Sequence, residues 1–180
     1  MEEIKTTIDD LILIKPSVYY DERGEFLESF NDNKYAALIK EVHFSQDNLS
    51  KSHKHVLRGL HFQLPPYAQG KLVQVVRGCV LDVAVDLRKS SATFGKYFSV
   101  ELNEDNKLQL WIPAGFAHGF ISKEAETIFS YKCSNFYTPS HERTLLWNDP
   151  ELNIDWGCEL PIVSLKDREG IFFKNFKSPF

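Results

Sequence analysis

His61 stands in the run Val56-Leu57-Arg58-Gly59-Leu60-His61-Phe62-Gln63, among apolar neighbours and two residues after a glycine. An imidazole in that setting is a natural general base near neutral pH, and Gly59 would let a ligand approach the backbone closely. A hydrogen-bonded core histidine fits the same position. Asp82 interrupts an apolar run over 80–87 and shares a two-residue face with Val80 and Ala84. A carboxylate buried on that face is costly unless paired, and an imidazole is a suitable partner. A His61–Asp82 dyad would fix the ring's tautomer and raise its basicity; the other reading leaves Asp82 facing solvent or bonding a turn amide. Tyr131 shares its face with Phe129 and Cys133, which suits either a core tyrosine with a satisfied hydroxyl or a proton donor. Arg23, Arg58, Lys71 and Lys166 are scattered cations, each of which alone reads as a solvated surface charge. Strict alternation groups His61 with Gly59 and Gln63 and sends Arg58 to the opposite face. If both serve one site, a bulge or strand end must intervene near Gly59.

The elements that would carry these residues are short strands. Lys71–Arg77 and the run over 80–87 are rich in β-branched residues with Gly78 between them, the pattern of a hairpin. Residues 97–102 alternate Phe98, Val100 and Leu102 against Tyr97, Ser99 and Glu101, and Leu108, Leu110 and Ile112 repeat the period before Pro113. Thr127, Phe129, Tyr131 and Cys133 make a further two-residue series. One helix is predicted early, capped by Asn31 or Asp32, with Tyr35, Leu38 and Ile39 on one face. The stretch after Pro161 has weak periodicity and reads as mostly irregular. Many short strands punctuated by turn residues predict an all-β sandwich, jelly roll or small barrel.

The chain has 180 residues, with no internal repeat, low-complexity tract or long linker, so a single domain over 1–180 is expected. It carries 21 Lys and Arg against 25 Asp and Glu, a net charge of −4, which disfavours nucleic acid as a partner. No apolar run approaches the ~20 residues that span a bilayer, and the acidic start MEEIKTTIDD lacks the features of a signal peptide. Cys79, Cys133 and Cys158 are odd in number and widely spaced, so no disulfide framework is expected and a reducing, cytoplasmic setting is.

The segment Pro113-Ala114-Gly115-Phe116-Ala117-His118 resembles the second half of the cupin pattern, whose histidine often binds metal on a jelly roll. The first half needs two histidines one residue apart and then a glutamate. His61 lacks both, and His53 and His55 lie in a Ser/Lys-rich run that reads as an exposed loop, so no metal site is expected. Taken together, F-S-Q-D-N at 44–48, V-L-R-G-L-H-F-Q at 56–63 and W-I-P-A-G-F-A-H-G-F at 111–120 strongly resemble the dTDP-4-dehydrorhamnose 3,5-epimerase family, from Asp21 through Asp167. The resemblance implies a cupin jelly roll, a homodimer that exchanges N-terminal strands, and a reaction needing no cofactor. That reaction converts dTDP-4-dehydro-6-deoxy-D-glucose to dTDP-4-dehydro-L-rhamnose by inversion at C3 and C5.

The family's roles then fall on matching positions. His61 resembles the base, with Asp82 as its partner, Tyr131 the acid on the opposite face of the sugar, and Lys71 the cation at the C4 enolate oxygen. Arg58 and His118 match residues lining the site, and Gln46, Asp47 and Asn48 match the nucleotide-contacting stretch. Arg23 and Glu28 resemble residues donated by the partner protomer, and Phe26 between them belongs with the substrate-binding set. Tyr137 resembles the aromatic that stacks on thymine, while Glu142, Lys166 and Asp167 match late positions of the site. Phe136 stands where many members carry a second tyrosine, and His55 is an unusual residue before the V-L-R-G-L-H run. The negative total charge does not conflict with a dTDP-sugar, because a compact diphosphate needs only a few placed cations. Arg23 and Arg58 are the candidates for it, with Lys71 kept for the enolate.

Overall fold

A computed structural model describes residues 1–39 and 43–180. In chain order the strands are β1 (Glu2–Lys5), β2 (Ile12–Lys15), β3 (Val18–Asp21) and β4 (Gly24–Leu27), followed by the helix α1 (Asp32–Tyr35). Then come β5 (Gln46–Ser52), β6 (Val56–Gln63), β7 (Lys71–Arg77), β8 (Cys79–Asp86) and β9 (Tyr97–Asn103). β10 (Gln109–Ile112), β11 (Phe116–Ser122), β12 (Thr127–Cys133), β13 (Glu142–Thr144), β14 (Ile162–Val163) and the helix α2 (Leu165–Arg168) complete the chain. Two mainly antiparallel sheets face each other, one in the order β1-β2-β10-β7-β12-β5 and the other β13-β6-β11-β8-β9, with β14 parallel to β6. The architecture is the expected jelly roll. Among the described residues no helix is long and apolar enough to cross a membrane.

Three apolar clusters explain why so many strands are buried on both faces. Val73, Leu110 and Phe129 from the first sheet meet Val80, Ala84, Leu102 and Phe120 from the second, filling the space between the sheets. Behind the second sheet, Leu57, Leu60, Val83, Val85 and Ile121 are covered by Leu145, Leu152, Trp156 and Val163 from the C-terminal third. Behind the first, Ile14, Leu72 and Trp111 are covered by Tyr35 and Ile39, the predicted helix face. Asn31 caps α1 as expected, its side chain accepting from the Lys34 N–H at 3.2 Å.

The two strands flanking Gly78 do not form the expected hairpin. β7 pairs with β10 and β12, whereas β8 pairs with β11 and β9, so Gly78 carries the chain from one sheet into the other. One residue is too short for a two-residue hairpin turn, and Gly78 has φ +82, a corner glycine supplies without side-chain strain. The expected irregularity near Gly59 is present. His118 opposes His61 and Phe120 opposes Arg58, so three steps along β6 match two along β11. This bulge lets Leu57, Leu60 and Phe62 all face the outer cluster while Arg58 and His61 share the other side. Gly59 does not admit a ligand, however. A Cβ there would lie 2.5 Å from the Gly119 Cα, so its smallness serves the crossing of two backbones.

Asp86 closes the far end of β8. It is fully buried; Oδ1 accepts from the Arg88 backbone N–H and Nε, both at 2.9 Å, and Oδ2 accepts from Arg88 Nη2, Ser91 Oγ and Thr93 Oγ1 at 2.8, 2.7 and 2.7 Å. Burial alone would raise its pKa, but these donors outweigh burial and hold it at about 2. A depressed carboxylate pKa contributes stability that is present above the unfolded value, roughly 3.9, and lost as pH falls through the folded one. Asp86→Asn is expected to cost about 3 kcal/mol at neutral pH, lowering Tm by roughly 6–12 °C. The deficit should shrink between pH 4 and about 2 in denaturation melts; a deficit independent of pH would show that the charge is not what stabilises.

Candidate active site

A cavity of about 320 Å³ opens at one end of the space between the sheets, lined by Gln46, Asn48, His61, Gln69, Lys71, Tyr131, Cys133, Tyr137 and Glu142. Register explains the set. On the first sheet Lys71 opposes Cys133, Tyr131 opposes Asn48, and Cys133 opposes Gln46, so their side chains point the same way from neighbouring strands. On the second sheet the β6 bulge turns His61 toward them. His61 and Tyr131 therefore belong to opposite walls, and Lys71 stands on the wall that carries Tyr131.

His61 is paired, but not with Asp82. Its Nε2 lies 2.5 Å from Oδ1 of Asp167, which α2 brings in from the C-terminal stretch. The Ser164 hydroxyl caps that helix by accepting from the Asp167 N–H at 3.2 Å. Burial works to raise the Asp167 carboxyl, but the His61 ring, together with Ser164 and the Gly59 N–H, holds it below the usual carboxylate range. A carboxylate at that distance places the proton on Nε2 and leaves the other ring nitrogen as the basic one. Asp82 takes the buried one of the two readings open to it, yet it pairs with His118 at 2.9 Å. The reason is topological: β11 lies between β6 and β8, opposing His61 with His118 on one side and running beside Asp82 on the other.

Around this centre, Tyr131 is largely covered, and burial raises its phenol pKa, with Arg58 pulling the other way. Arg58 itself donates from Nε to Ser52 Oγ at 3.2 Å. Tyr137 donates its hydroxyl to Glu142 Oε2 at 2.7 Å, and Lys166 closes on the same carboxylate. Burial works to raise the Glu142 carboxyl, but these two donors bring it below its ordinary value. His118 is sealed behind the cavity, its ring stacked 6.1 Å from Phe129.

Four expected residues lie elsewhere. Asp47 alternates away from Gln46 and Asn48, and its exposed carboxylate pairs with Lys132 at 2.9 Å. Arg23, Phe26 and Glu28 belong to or follow the separate β3–β4 hairpin: Arg23 pairs with Asp21 while 85% exposed, Phe26 is exposed, and Glu28 pairs with Lys34 at 2.8 Å. Two lining residues were not among the expected ones. Gln69 is held by its Nε2 donating to the Asn135 carbonyl at 2.7 Å, and Cys133 was visible in the two-residue series with Tyr131.

An imidazole on one wall, with a phenol and a lysine amine on the other, is an arrangement that can remove a proton beside a carbonyl and deliver one to the opposite face. The family model described as dTDP-4-dehydrorhamnose 3,5-epimerase matches residues 5–175. A dTDP-4-dehydrorhamnose 3,5-epimerase of Shigella flexneri is 54% identical over 171 residues, covering 94% of each chain. The dTDP-6-deoxy-D-glucose-3,5-epimerase of Legionella pneumophila Philadelphia 1, solved in complex with dTDP-4-keto-L-rhamnose, is 46% identical with a TM-score of 0.94, covering 98% of this chain and 94% of that one. A 3'-monoepimerase from Streptomyces bikiniensis, in complex with dTDP-quinovose, is 29% identical with a TM-score of 0.88, covering 93% and 85%.

Proposed function

The chain belongs to the dTDP-4-dehydrorhamnose 3,5-epimerase family, an isomerase class, and from that premise we propose how its cavity inverts two carbons of a dTDP-4-keto-6-deoxy sugar. The observation that carries the proposal is the placement of His61 and Tyr131 on facing sheets with Lys71 beside the path between them.

The C4 ketone acidifies the hydrogens on C3 and C5. The His61 ring takes one of these protons while Asp167, accepting from its Nε2–H, steadies the imidazolium that forms. The electron pair moves into the ring and onto O4, where the Lys71 ammonium meets the developing charge. Tyr131 then gives its phenolic proton to the opposite face of the same carbon, which inverts it. Solvent resets both groups before the second carbon reacts. Every step is a proton transfer and none changes the oxidation level, so the sequence calls for no redox partner. Gln46, Asn48, Tyr137 and Glu142 line the cavity and would hold the nucleotide, with Arg58, which stands beside it on β6 and bonds Ser52, the candidate for a phosphate oxygen.

Two features support a homodimer. The hairpin β3–β4 stands apart from both main sheets with Tyr19, Tyr20 and Phe26 exposed, and it carries an outward Arg23. A hairpin of that kind suits insertion into a second copy, where Arg23, Phe26 and Glu28 would complete the partner's cavity. The whole chain works as one domain in this reading, and its free cysteines fit the cytoplasm. Sedimentation at micromolar concentration should give a dimer; a monomer with full activity would remove the donated residues from the account.

NMR of the sugar nucleotide tests the reaction. dTDP-4-dehydro-6-deoxy-D-glucose should become dTDP-4-dehydro-L-rhamnose, inverted at both carbons. Inversion at C3 alone would favour the second reading, a monofunctional epimerase like that of Streptomyces bikiniensis, and a carbonyl moved to C3 would indicate a ketoisomerase.

A further inference from the structure

Gln63, at the end of β6, is a buried amide with no part in the proton transfers. Its Nε2 donates to the carbonyls of Tyr67 and Phe136 at 2.7 and 3.1 Å, and its Oε1 accepts from the Thr138 N–H at 2.6 Å. Reversing the amide would set its oxygen against two carbonyls and its NH₂ against an N–H, so these partners fix its orientation. All three partners lie in the loops that follow β6 and β12, outside any strand.

The loop after β12 carries Tyr137, which lines the cavity. Apolar packing does not hold this loop, since Phe136 is 64% exposed and Tyr137 49%. Hydrogen bonds from both sheets set its position. The Tyr137 N–H donates to Gln46 Oε1 at 2.8 Å from β5, and the next N–H, that of Thr138, goes to Gln63 on β6. Two glutamines on facing sheets thus take successive backbone N–H groups. Gln46 is itself tied to its strand, its Nε2 donating to Asn48 Oδ1 at 2.9 Å. The neighbour of Gln63 on β13 is Glu142, which accepts from the Tyr137 hydroxyl at 2.7 Å. Backbone and ring of Tyr137 are therefore both fixed to the end of β6, where His61 stands two residues away on the same strand.

We propose that Gln63 is a positioning residue that clamps the loop 136–138, so that Tyr137 presents its ring to the cavity as a preformed seat for the nucleobase. Gln63 does not touch substrate. It orders the seat before the ligand arrives and so removes a cost that binding would otherwise meet. Because Gln63 and His61 share one strand, about 7 Å apart along it, the clamp also sets the seat's distance from the base. The nucleobase role rests on the epimerase reading, whereas the clamp itself can be measured without ligand.

The test combines amide hydrogen exchange in the ligand-free protein with calorimetry of dTDP. In the unsubstituted protein the Tyr137 and Thr138 amides should be protected from exchange. Gln63→Met, similar in length but without the amide, should expose both, Tyr137 included although its own partner is Gln46, and leave the amides of β6 and β12 protected. The dTDP dissociation constant should rise about tenfold, the scale of one or two lost hydrogen bonds. In turnover KM should rise with it, while kcat changes less than about threefold. A general loss of packing would instead lower kcat through the folded fraction and leave KM alone. Gln63→Glu keeps the acceptor for Thr138 but loses both donors, so it too should weaken dTDP, and it decides the matter if Gln63→Met does not fold. Unchanged dTDP affinity in the variant that folds overturns the proposal, as do a loss of kcat at constant KM and free exchange of the Thr138 amide in the unsubstituted protein. If the unsubstituted protein binds no dTDP, the epimerase reading and the nucleobase role fail together, and the exchange data still decide the clamp.

Discussion

Replacing His61 by alanine is expected to lower kcat for both inversions by about 10³-fold or more. One positioned proton-transfer group contributes roughly 10²–10⁴ in rate, and the mechanism uses this ring at each of the two carbons. The substitution also leaves Asp167 as a buried carboxylate, 3% exposed, without its imidazole. Part of the loss therefore comes from an uncompensated charge in the wall. Gln46 and Asn48, proposed as nucleotide contacts, lie on β5 in the sheet opposite β6, and Arg58 is untouched by the substitution, so dTDP affinity by calorimetry should change less than threefold. Loss of dTDP binding in parallel with turnover would mean that His61 shapes the site and does not act as its base.

Tyr131→Phe separates the two halves of the reaction. The change removes only a hydroxyl from a ring whose packing against Phe129, 6.0 Å between centroids, is retained. Formation of inverted product should fall by about 10²–10³-fold, while exchange of the C3 hydrogen with solvent continues, because His61 still removes and returns the proton on its own face. Burial raises the Tyr131 pKa, so the phenol keeps its proton through the neutral range and the acid step should hold up as pH rises past 8. Equal loss of exchange and inversion would place Tyr131 in substrate positioning instead.

The sequence read the walls of this site better than its connections. Two-residue periodicity reports which face a residue takes. That is why Tyr131 with Cys133 and the bulge needed to bring Arg58 beside His61 were legible, whereas the burial of Asp82 was one of two readings. Periodicity does not report which strand lies next to which. The hairpin across Gly78 failed for that reason, because alternation on both sides of a glycine is the same whether the chain turns back or crosses between sheets. The His61 partner failed for a related one. Asp167 lies 106 residues away in a stretch without periodicity, where only a capped four-residue helix brings it to β6. Asp82 seemed the better partner because its burial demanded one, but the strand order supplied a different imidazole. Asp47 shows the converse: strict alternation along β5 already sends it away from Gln46 and Asn48.

The claim at the centre of this account is that one cavity removes protons from two carbons beside the same ketone and returns them from solvent-equilibrated groups. Turnover of dTDP-4-dehydro-6-deoxy-D-glucose in D₂O, followed by NMR, tests it most directly. Inverted product should carry solvent deuterium at both C3 and C5. Deuterium at C3 alone, or inversion at both carbons with neither labelled, would contradict it.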